Sequence, residues 1–409
     1  MPHPPSRSSN EPFDIPPATI HWIESDKDCS ALWRSERGSP PPKRVILADD
    51  TVTADSAYRL ACEGTAMLWR GDFHNATQLM QAMARRVDRT PARKQRKTAK
   101  DFSRTASPAD AFHQYRLARS QRARILGSLL IPFNADRSIG LRRAPDAREA
   151  CAEAWGPAAA AAEPSVASLR ELLGIIGAHE WRKKGIEIPA LGAAPNNRIH
   201  PHYGVFSPVR GEYVDLVATA PLPPTGQAGF VAFDIGTGTG VLAAVLARRQ
   251  IEKVVATDRD PRALACAHEN LARLGVAERV KVVHADLFPE GRASLVVCNP
   301  PWLPARPGSP IESAVYDEDS RMLLGFLNGL TAHLVPGGEG WLILSDFAEH
   351  LGLRSRADLL AAFERGGLEV VSRIDARPRH PKAADASDPL HDARAAEVTS
   401  LWRLAAVPA

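Results

Sequence analysis

The feature that most constrains the fold is a regular alternation of short apolar strands and amphipathic helices after Gly185. The predicted strands are residues 231–233, 253–257, 280–284, 295–298, 340–345, 369–374 and 398–404. The predicted helices between them are residues 241–249, 261–274, 322–334 and 355–364. This alternation is typical of an α/β domain with a doubly wound, mostly parallel sheet. Because no helix is predicted between the last two strands, we expect them to pair as a hairpin, which makes the final strand antiparallel.

A chain of 409 residues is long enough for two or three domains. Residues 1–43 are rich in proline and serine, and we expect a flexible tail there because the segment has little apolar surface to bury. Residues 44–185 are predicted to form a basic, mainly helical domain that recognises the substrate. Its predicted helices begin near Asp55, Asn75, Ser107 and Ser165. Residues 186–409 contain the alternating strands and helices.

Positive charge is concentrated in one part of the chain. The net charge is +4, but residues 84–124 contain thirteen lysines and arginines and only three acids, an excess of ten positive charges. The rest of the chain therefore carries a net charge of −6. Such asymmetry indicates either a polyanionic partner or a solvated helical face, and the pattern alone favours neither.

Composition argues against several other classes. No apolar run reaches the roughly 18 residues of a membrane helix, so we expect no membrane partner and a cytoplasmic location. The five cysteines are scattered without paired spacing, which argues against a disulfide framework and a structural zinc site. His200 and His202 flank a proline, and without further ligands nearby we expect loop histidines and no metal.

A glycine-rich loop lies between the first strand and first helix of the alternating region. It reads Asp-Ile-Gly-Thr-Gly-Thr-Gly over residues 234–240, so Asp234 precedes Gly236, Gly238 and Gly240. Glycines allow a tight turn and close approach of a ligand. The third glycine comes one residue earlier than in the dinucleotide pattern G-x-G-x-x-G, which fits a ligand without a pyrophosphate.

Acidic residues follow the next two strands. Asp258 ends the second strand about 20 residues after the loop, where an acid can accept hydrogen bonds from ribose hydroxyls. Asp260 precedes Pro261, and its position is typical of a helix N-cap. Asp286 follows the third strand and can accept a hydrogen bond from an amino group, while Leu287 can cover a ring.

The fourth strand ends in the sequence Asn299-Pro300-Pro301-Trp302. Two successive prolines remove two amide donors, so the carbonyls nearby have fewer competing partners. The side-chain oxygen of Asn299 and the carbonyl oxygen of Pro300 can then accept both N–H bonds of one planar amino group. These two hydrogen bonds align the nitrogen for nucleophilic attack. Trp302 offers a face on which a planar acceptor can stack.

With these four motifs, residues 186–409 resemble class I methyltransferases of the small-domain type. That group includes nucleic-acid amino-methyltransferases and release-factor glutamine methyltransferases. The resemblance implies an enzyme with a Rossmann-like, seven-stranded, mostly parallel sheet that uses S-adenosyl-L-methionine and releases S-adenosyl-L-homocysteine. It also implies cofactor binding by the glycine loop, ribose binding by Asp258, adenine binding by Asp286 and Leu287, and a catalytic tetrapeptide at residues 299–302.

The resemblance leaves the methyl acceptor open. Residues 204–208, Gly-Val-Phe-Ser-Pro, resemble a segment of ribosomal RNA guanine methyltransferases, which usually have Phe where this chain has Trp302. Glutamine methyltransferases usually have Tyr there and an upstream Pro-Arg-Pro pattern that this chain lacks. The basic window together with the aromatic Trp302 favours a nucleic-acid base, with RNA preferred over DNA. The alternative acceptor is the side-chain amide of a glutamine in a polypeptide.

Three further features flank the predicted site. Arg210 and Glu212 either shape the pocket or pair with each other. The loop 303–313 directly follows the tetrapeptide and is a candidate wall of the acceptor site. The connection 376–397 between the last two strands either covers that site or is disordered.

Overall fold

The computed structural model describes residues 18–102, 107–158, 162–224, 229–308, 310–378 and 385–408, with side chains except at 90–102, 310 and 311. The chain divides into two compact units. The N-terminal unit comprises residues 1–85, 124–148 and 158–171, and the C-terminal unit comprises residues 86–123, 149–157 and 172–409. Each unit is therefore assembled from separate stretches of the chain.

The N-terminal unit is built on a six-stranded mixed sheet. Its strands are β1 (Thr19–Glu24), β2 (Lys27–Trp33), β3 (Arg44–Ala48), β4 (Thr65–Trp69), β5 (Leu129–Phe133) and β6 (Ser165–Ser168). Helix α1 (Ala54–Cys62) lies in it, and the long helix α2 (Phe73–Phe102) begins in it. The strand order is β1-β2-β6-β5-β4-β3, in which β3, β4 and β5 run parallel. Ile20, Leu68, Leu130 and Val166 form part of its core.

This sheet corrects the predictions for the first half of the chain. The flexible tail is wrong at residues 19–33, which form β1 and β2, while residues 1–17 lie outside the described part. The mainly helical domain at 44–185 misses strands β3 to β6, and Ser165 begins a strand where a helix was expected. The missed strands are four or five residues long, and periodicity cannot separate so short an apolar run from a buried helical segment. The predicted boundary at residue 185 also fails, because residues 86–123, 149–157 and 172–185 belong to the C-terminal unit.

The C-terminal unit contains the predicted alternation. Its first elements are α3 (Pro108–Leu126), α4 (Arg148–Trp155), α5 (Leu169–Lys184), β7 (Ile186–Glu187), β8 (Arg198–Ile199) and α6 (Glu212–Thr219). The alternating elements are β9 (Val231–Ile235), α7 (Val241–Arg248), β10 (Lys253–Asp258), α8 (Pro261–Arg273), β11 (Val280–His284) and β12 (Ala293–Cys298). They continue with α9 (Arg321–His333), β13 (Leu334–Ser345), α10 (Phe347–His350), α11 (Arg356–Arg365), β14 (Leu368–Ala376), α12 (His391–Ala396) and β15 (Thr399–Ala406).

The large sheet confirms the predicted fold class. Its seven strands lie in the order β11-β10-β9-β12-β13-β15-β14. The pairs among β9 to β13 are parallel, and β15 runs antiparallel to both β13 and β14. The expected hairpin of the last two strands is present, although the connection contains the short helix α12, which was not predicted.

The topology of this sheet determines where a ligand can bind. From β9 the chain proceeds to β10 and β11 on one side, and it then crosses to β12 and β13 on the other. At such a switch point the loops after the central strands diverge and leave a crevice at their carboxyl ends. Ile235 at the end of β9 pairs with Cys298 at the end of β12, so the glycine loop and the Asn299 tetrapeptide emerge side by side.

Apolar helices cover both faces of the sheet. On one face, α7 contributes Leu242 and Leu246, which belong to the same core cluster as Leu271 of α8. On the other face, α9 contributes Phe326 and α11 contributes Phe363. No helix in the described ranges is both long and apolar enough to cross a membrane.

One glycine in β13 illustrates how closely these layers pack. A Cβ atom added at Gly340 would clash with the side chain of Leu330 on α9. We expect Gly340→Ala to reduce the free energy of unfolding by about 1–3 kcal/mol, because overpacking forces the neighbouring side chain to move. Urea denaturation measures this change. Gly177→Ala on α5 is the control: an added Cβ has no neighbour within 4 Å, so an unchanged or higher midpoint is expected. Equal midpoints for the two variants would contradict the packing argument.

Candidate active site

The glycine loop connects β9 to α7 through left-handed backbone. Gly236, Gly238 and Gly240 have φ angles of 71°, 54° and 80°, a region that side-chain-bearing residues rarely occupy. At Gly240 a Cβ would lie 3.2 Å from the backbone of Ala267 on α8, which explains the need for glycine there. At Gly238 a Cβ would meet nothing within 4 Å, so this part of the loop is open to a ligand.

Asp234 is hydrogen-bonded to the glycine loop. Its side chain is buried, and Oδ2 accepts hydrogen bonds from Thr237 Oγ1 at 2.6 Å and from the backbone N–H of Ala243 at 3.0 Å. Burial raises the pKa of this carboxyl to about 6, while the bond from Thr237 acts in the opposite direction. The contacts of Asp234 are therefore with the loop and the first turn of α7, and its cofactor contact stays a prediction.

Asp258 connects the loop to the next strand. Its Oδ2 accepts a hydrogen bond from the backbone N–H of Gly238 at 3.0 Å, and its Oδ1 accepts one from the N–H of Asp260, also at 3.0 Å. Burial raises the pKa of the Asp258 carboxyl. Asp260 is the N-cap of α8 and accepts a hydrogen bond from the N–H of Arg262 at 2.8 Å, so its predicted role is confirmed.

The loop after β11 lies beside the end of β10. Thr257 Oγ1 donates to the carbonyl oxygen of Leu287 at 2.6 Å, and the N–H of Ala285 donates to the carbonyl oxygen of Asp258 at 3.1 Å. Leu287 has a φ of 81° and packs against the apolar cluster that contains Leu323 and Phe326 of α9. Asp286 is exposed, and its Oδ2 lies 3.6 Å from a guanidinium nitrogen of Arg321. The three predicted acids thus lie at the carboxyl ends of three adjacent strands.

The tetrapeptide after β12 contains an internal hydrogen bond that the sequence did not indicate. The indole N–H of Trp302 donates to Asn299 Oδ1 at 2.9 Å. Trp302 is half-buried and packs against the apolar clusters of both sheet faces. The bond fixes the side-chain amide of Asn299 with one lone pair of Oδ1 still available.

Two residues that organise the site were not predicted. Asn270 on α8 is buried; its Nδ2 donates to the carbonyl oxygen of Thr239 at 3.0 Å, and its Oδ1 accepts the N–H of His200 at 2.8 Å. Asp317 accepts hydrogen bonds from the N–H groups of Met322 and Leu323 at the start of α9. Asn270 acts across distant parts of the sequence, where no spacing pattern identifies it, whereas Asp317 bonds to residues five and six positions later, outside the usual N-cap spacing.

The remaining flanking residues have structural partners. His200 Nδ1 lies 2.6 Å from the carbonyl oxygen of Arg182, and His202 Nε2 lies 3.0 Å from Glu269. Within the described ranges, no group of three or more histidines, cysteines or acids is placed to hold a metal ion. Arg210 pairs with Glu397 at 2.9 Å, so of the two predicted alternatives the pair with Glu212 is wrong.

Both candidate walls of the acceptor site lie close to the tetrapeptide. The loop after it folds back on itself, with the N–H of Leu303 donating to the carbonyl oxygen of Val315 at 3.1 Å. Leu303 shares an apolar cluster with Leu390 of the connection and Phe112 of α3. Residues 379–384 of the connection lie outside the described part.

Comparison with known proteins supports the resemblance drawn from the motifs. Residues 196–356 match the family model described as "Methyltransferase small domain". The chain is 34% identical over 161 residues to a release factor glutamine methyltransferase of Cereibacter sphaeroides. The matched stretch covers 36% of this chain and 56% of the relative. A release factor glutamine methyltransferase of Moorella thermoacetica is 39% identical over 117 residues, covering 27% of this chain and 41% of the relative.

A third relative is a ribosomal protein L11 methyltransferase of Pelotomaculum thermopropionicum. It is 49% identical over 73 residues, which cover 17% of this chain and 24% of the relative. The chain therefore spans about half of these relatives' length or less. All three names refer to protein substrates of those relatives.

The buried carboxyl of Asp234 provides a pH test of this geometry. Its folded-state pKa of about 6 exceeds the ordinary value of 3.8, so its ionisation costs stability as pH rises from about 4 through 6. We expect the wild type to lose on the order of 2 kcal/mol relative to Asp234→Asn across that range. Urea denaturation of both proteins at about pH 4.5 and pH 7.5 measures the difference. A pH-independent gap between the two proteins would show that Asp234 titrates normally.

Proposed function

We propose, from the premise that residues 196–356 belong to the methyltransferase small domain family, that this protein is an S-adenosyl-L-methionine-dependent N-methyltransferase acting on a side-chain amide of a polypeptide. The observation that carries the proposal is the pairing of Ile235 with Cys298. It brings the glycine loop, held by Asp258, beside a tetrapeptide whose oxygens can hold a planar nitrogen.

The residues at the strand ends fit the cofactor. The backbone at Gly238 is open, so a ligand can approach it closely. Asp258 retains acceptor capacity for ribose hydroxyls beyond its two backbone bonds, because each carboxylate oxygen has a second lone pair. Asp286 is exposed at the next strand end and can accept the adenine amino group, beside the apolar side chain of Leu287. The bound cofactor would supply an electrophilic methyl group, leaving S-adenosyl-L-homocysteine.

The tetrapeptide would hold the acceptor nitrogen. Asn299 Oδ1 uses one lone pair for the indole N–H of Trp302, and its second lone pair can accept an N–H of the acceptor. Pro301 has no N–H, so the neighbouring carbonyl oxygen of Pro300 can accept the other. Two acceptors on one primary amide orient its nitrogen toward the methyl group, and alignment of this kind supplies much of the catalysis in transfer reactions.

The contacts of the arginines of α3 weaken the hypothesis that the methyl acceptor is a nucleic-acid base. Arg116 donates to the carbonyl oxygen of Arg306 at 2.6 Å, and its guanidinium lies 4.3 Å from the ring centroid of Tyr316. Arg119 donates to Tyr115 Oη at 3.1 Å, and Arg122 forms a 2.8 Å ion pair with Asp88.

These three members of the basic window have partners within the C-terminal unit. Their charge is therefore less available to phosphates than the sequence indicates. The names of the relatives, which refer to protein substrates, support a polypeptide as the acceptor.

Cofactor binding tests the role of Asp258. Replacing it with alanine removes a charged acceptor and leaves the N–H of Gly238 without its partner. We expect affinity for S-adenosyl-L-homocysteine, measured by isothermal titration calorimetry, to fall about 10- to 100-fold, the range for hydrogen bonds to charged groups. Asp260→Asn is the matched control, because asparagine is an equally good N-cap and should leave affinity nearly unchanged. Equal losses of affinity in both variants would contradict a role of Asp258 in binding the cofactor.

Methyl transfer tests the acceptor. The protein would be incubated with methyl-tritiated S-adenosyl-L-methionine and with total protein or total RNA from cells that lack the gene. We expect label in protein that protease removes, and a loss of about 100-fold or more in Asn299→Ala, because the nitrogen loses one of its two acceptors. Acid hydrolysis of the labelled protein should release methylamine, as an N-methyl amide does, and the label should become volatile when the hydrolysate is made alkaline. Label that nuclease removes would overturn the polypeptide reading and support a base amino group.

A further inference from the structure

We propose that Arg210 and Glu397 form a clamp that holds Trp302 and thereby fixes the side-chain amide of Asn299 for the acceptor. This inference deepens the proposed function and rests on it for the role of Asn299. Arg210, Glu397 and Trp302 are assigned here as positioning residues, since they act on the acceptor through Asn299.

The clamp is a continuous series of contacts. Glu397 Oε1 accepts a hydrogen bond from Arg210 Nη1 at 2.9 Å. The guanidinium carbon of Arg210 lies 5.8 Å from the ring centroid of Trp302, within the range of a cation–π contact. The indole N–H of Trp302 then donates to Asn299 Oδ1 at 2.9 Å. Arg210, which precedes the glycine loop, thus contacts one residue after β12 and one residue before β15.

Glu397 is a rigid anchor for this series. Its side chain is only 2% exposed, and Oε1 also accepts a hydrogen bond from Ser345 Oγ at 2.8 Å. The adjacent residue is fixed as well, because the N–H of Val398 donates to Asp346 Oδ1 at 2.7 Å and its carbonyl oxygen accepts the N–H of Asp346 at 3.0 Å. A buried carboxylate in such a place requires a cation, and Arg210 is its partner.

The indole of Trp302 supplies a hydrogen-bond donor that a phenyl ring lacks. A tryptophan carries an in-plane N–H donor, whereas phenylalanine has no donor at all. The side-chain amide of asparagine presents an acceptor on one side and two donors on the other, so rotating it by half a turn would direct N–H groups at the acceptor nitrogen. The bond from Trp302 to Asn299 Oδ1 selects the orientation in which the oxygen is fixed.

Arginine is also specific for its place in the clamp. A guanidinium can donate to a carboxylate in its plane while its face lies over an aromatic ring. Lysine keeps the charge for Glu397 but cannot make both contacts in that geometry. Arg210→Lys should therefore preserve the buried ion pair and loosen Trp302.

Indole N–H exchange measures the clamp without any acceptor. The eight tryptophans would be labelled with ¹⁵N in the indole ring, and Trp302→Phe would assign the resonance of Trp302. We expect exchange of the Trp302 indole N–H with solvent to be about 5- to 30-fold faster in Arg210→Lys, the factor that a cation–π contact of 1–2 kcal/mol corresponds to. Glu397→Gln should act in the same direction, and it serves as the second variant if Arg210→Lys fails to fold.

Arg356→Lys is the matched control for this measurement. Arg356 also stacks on a tryptophan, with its guanidinium carbon 5.2 Å from the ring of Trp402, and donates to Glu349 at 2.9 Å. It makes the same types of contact at another place in the C-terminal unit, so it should leave exchange at Trp302 unchanged. An unchanged exchange rate in both Arg210→Lys and Glu397→Gln would overturn the proposal.

Methyl transfer to total cellular protein provides the second readout. We expect Arg210→Lys and Trp302→Phe each to lower the rate about tenfold with unchanged affinity for S-adenosyl-L-homocysteine, and the double variant to lose no more than either alone, since residues in one series are not additive. Losses that multiply would show independent action and overturn the clamp. If the wild type labels no protein while Arg210→Lys still accelerates exchange, the clamp is supported and the proposed function fails.

Discussion

The parallel pairing of β9 between β10 and β12 is the constraint on which the site depends. It places three loops at one edge of the sheet, where the direction of winding reverses and a crevice is unavoidable. The glycine loop can pass through left-handed backbone only because its three key positions lack side chains. Asp234 and Asp258 then hold that loop from two sides, through Thr237 and Gly238. Every proposed cofactor contact follows from this arrangement of the strands.

The acceptor side of the crevice is built from parts of the chain that are far apart in sequence. Leu303 packs with Phe112 of α3 and Leu390 of the last connection, although 191 residues separate Phe112 from Leu303. Arg116 of the basic window donates to the carbonyl oxygen of Arg306 and stacks on Tyr316, and Arg122 of the same window pairs with Asp88. A count of charges cannot distinguish such arginines from those that face a polyanion.

The strand-end positions of the proposed cofactor residues were predictable because they follow from local sequence patterns. The order of Asp234, Asp258 and Asp286 along consecutive strands follows from the alternation of elements and needs no distant contact. Asn270 was missed because its partners lie far away in the sequence, and Asp317 was missed because its bonds to the start of α9 do not follow the usual N-cap spacing. The N-terminal sheet was missed for a different reason: its strands are too short for periodicity to show, and two of them lie in a segment whose prolines resemble those of a disordered tail.

The sequence by itself determined the large α/β sheet, the antiparallel final strand and the four motifs, since periodicity, glycine spacing and prolines act over a few residues. Only the tertiary structure decided what lies around them. It paired Arg210 with Glu397 rather than Glu212, and it placed the indole of Trp302 on Asn299. Such contacts depend on the path of the chain through the whole unit, and the free energy of a buried ion pair depends on surroundings that no local pattern records.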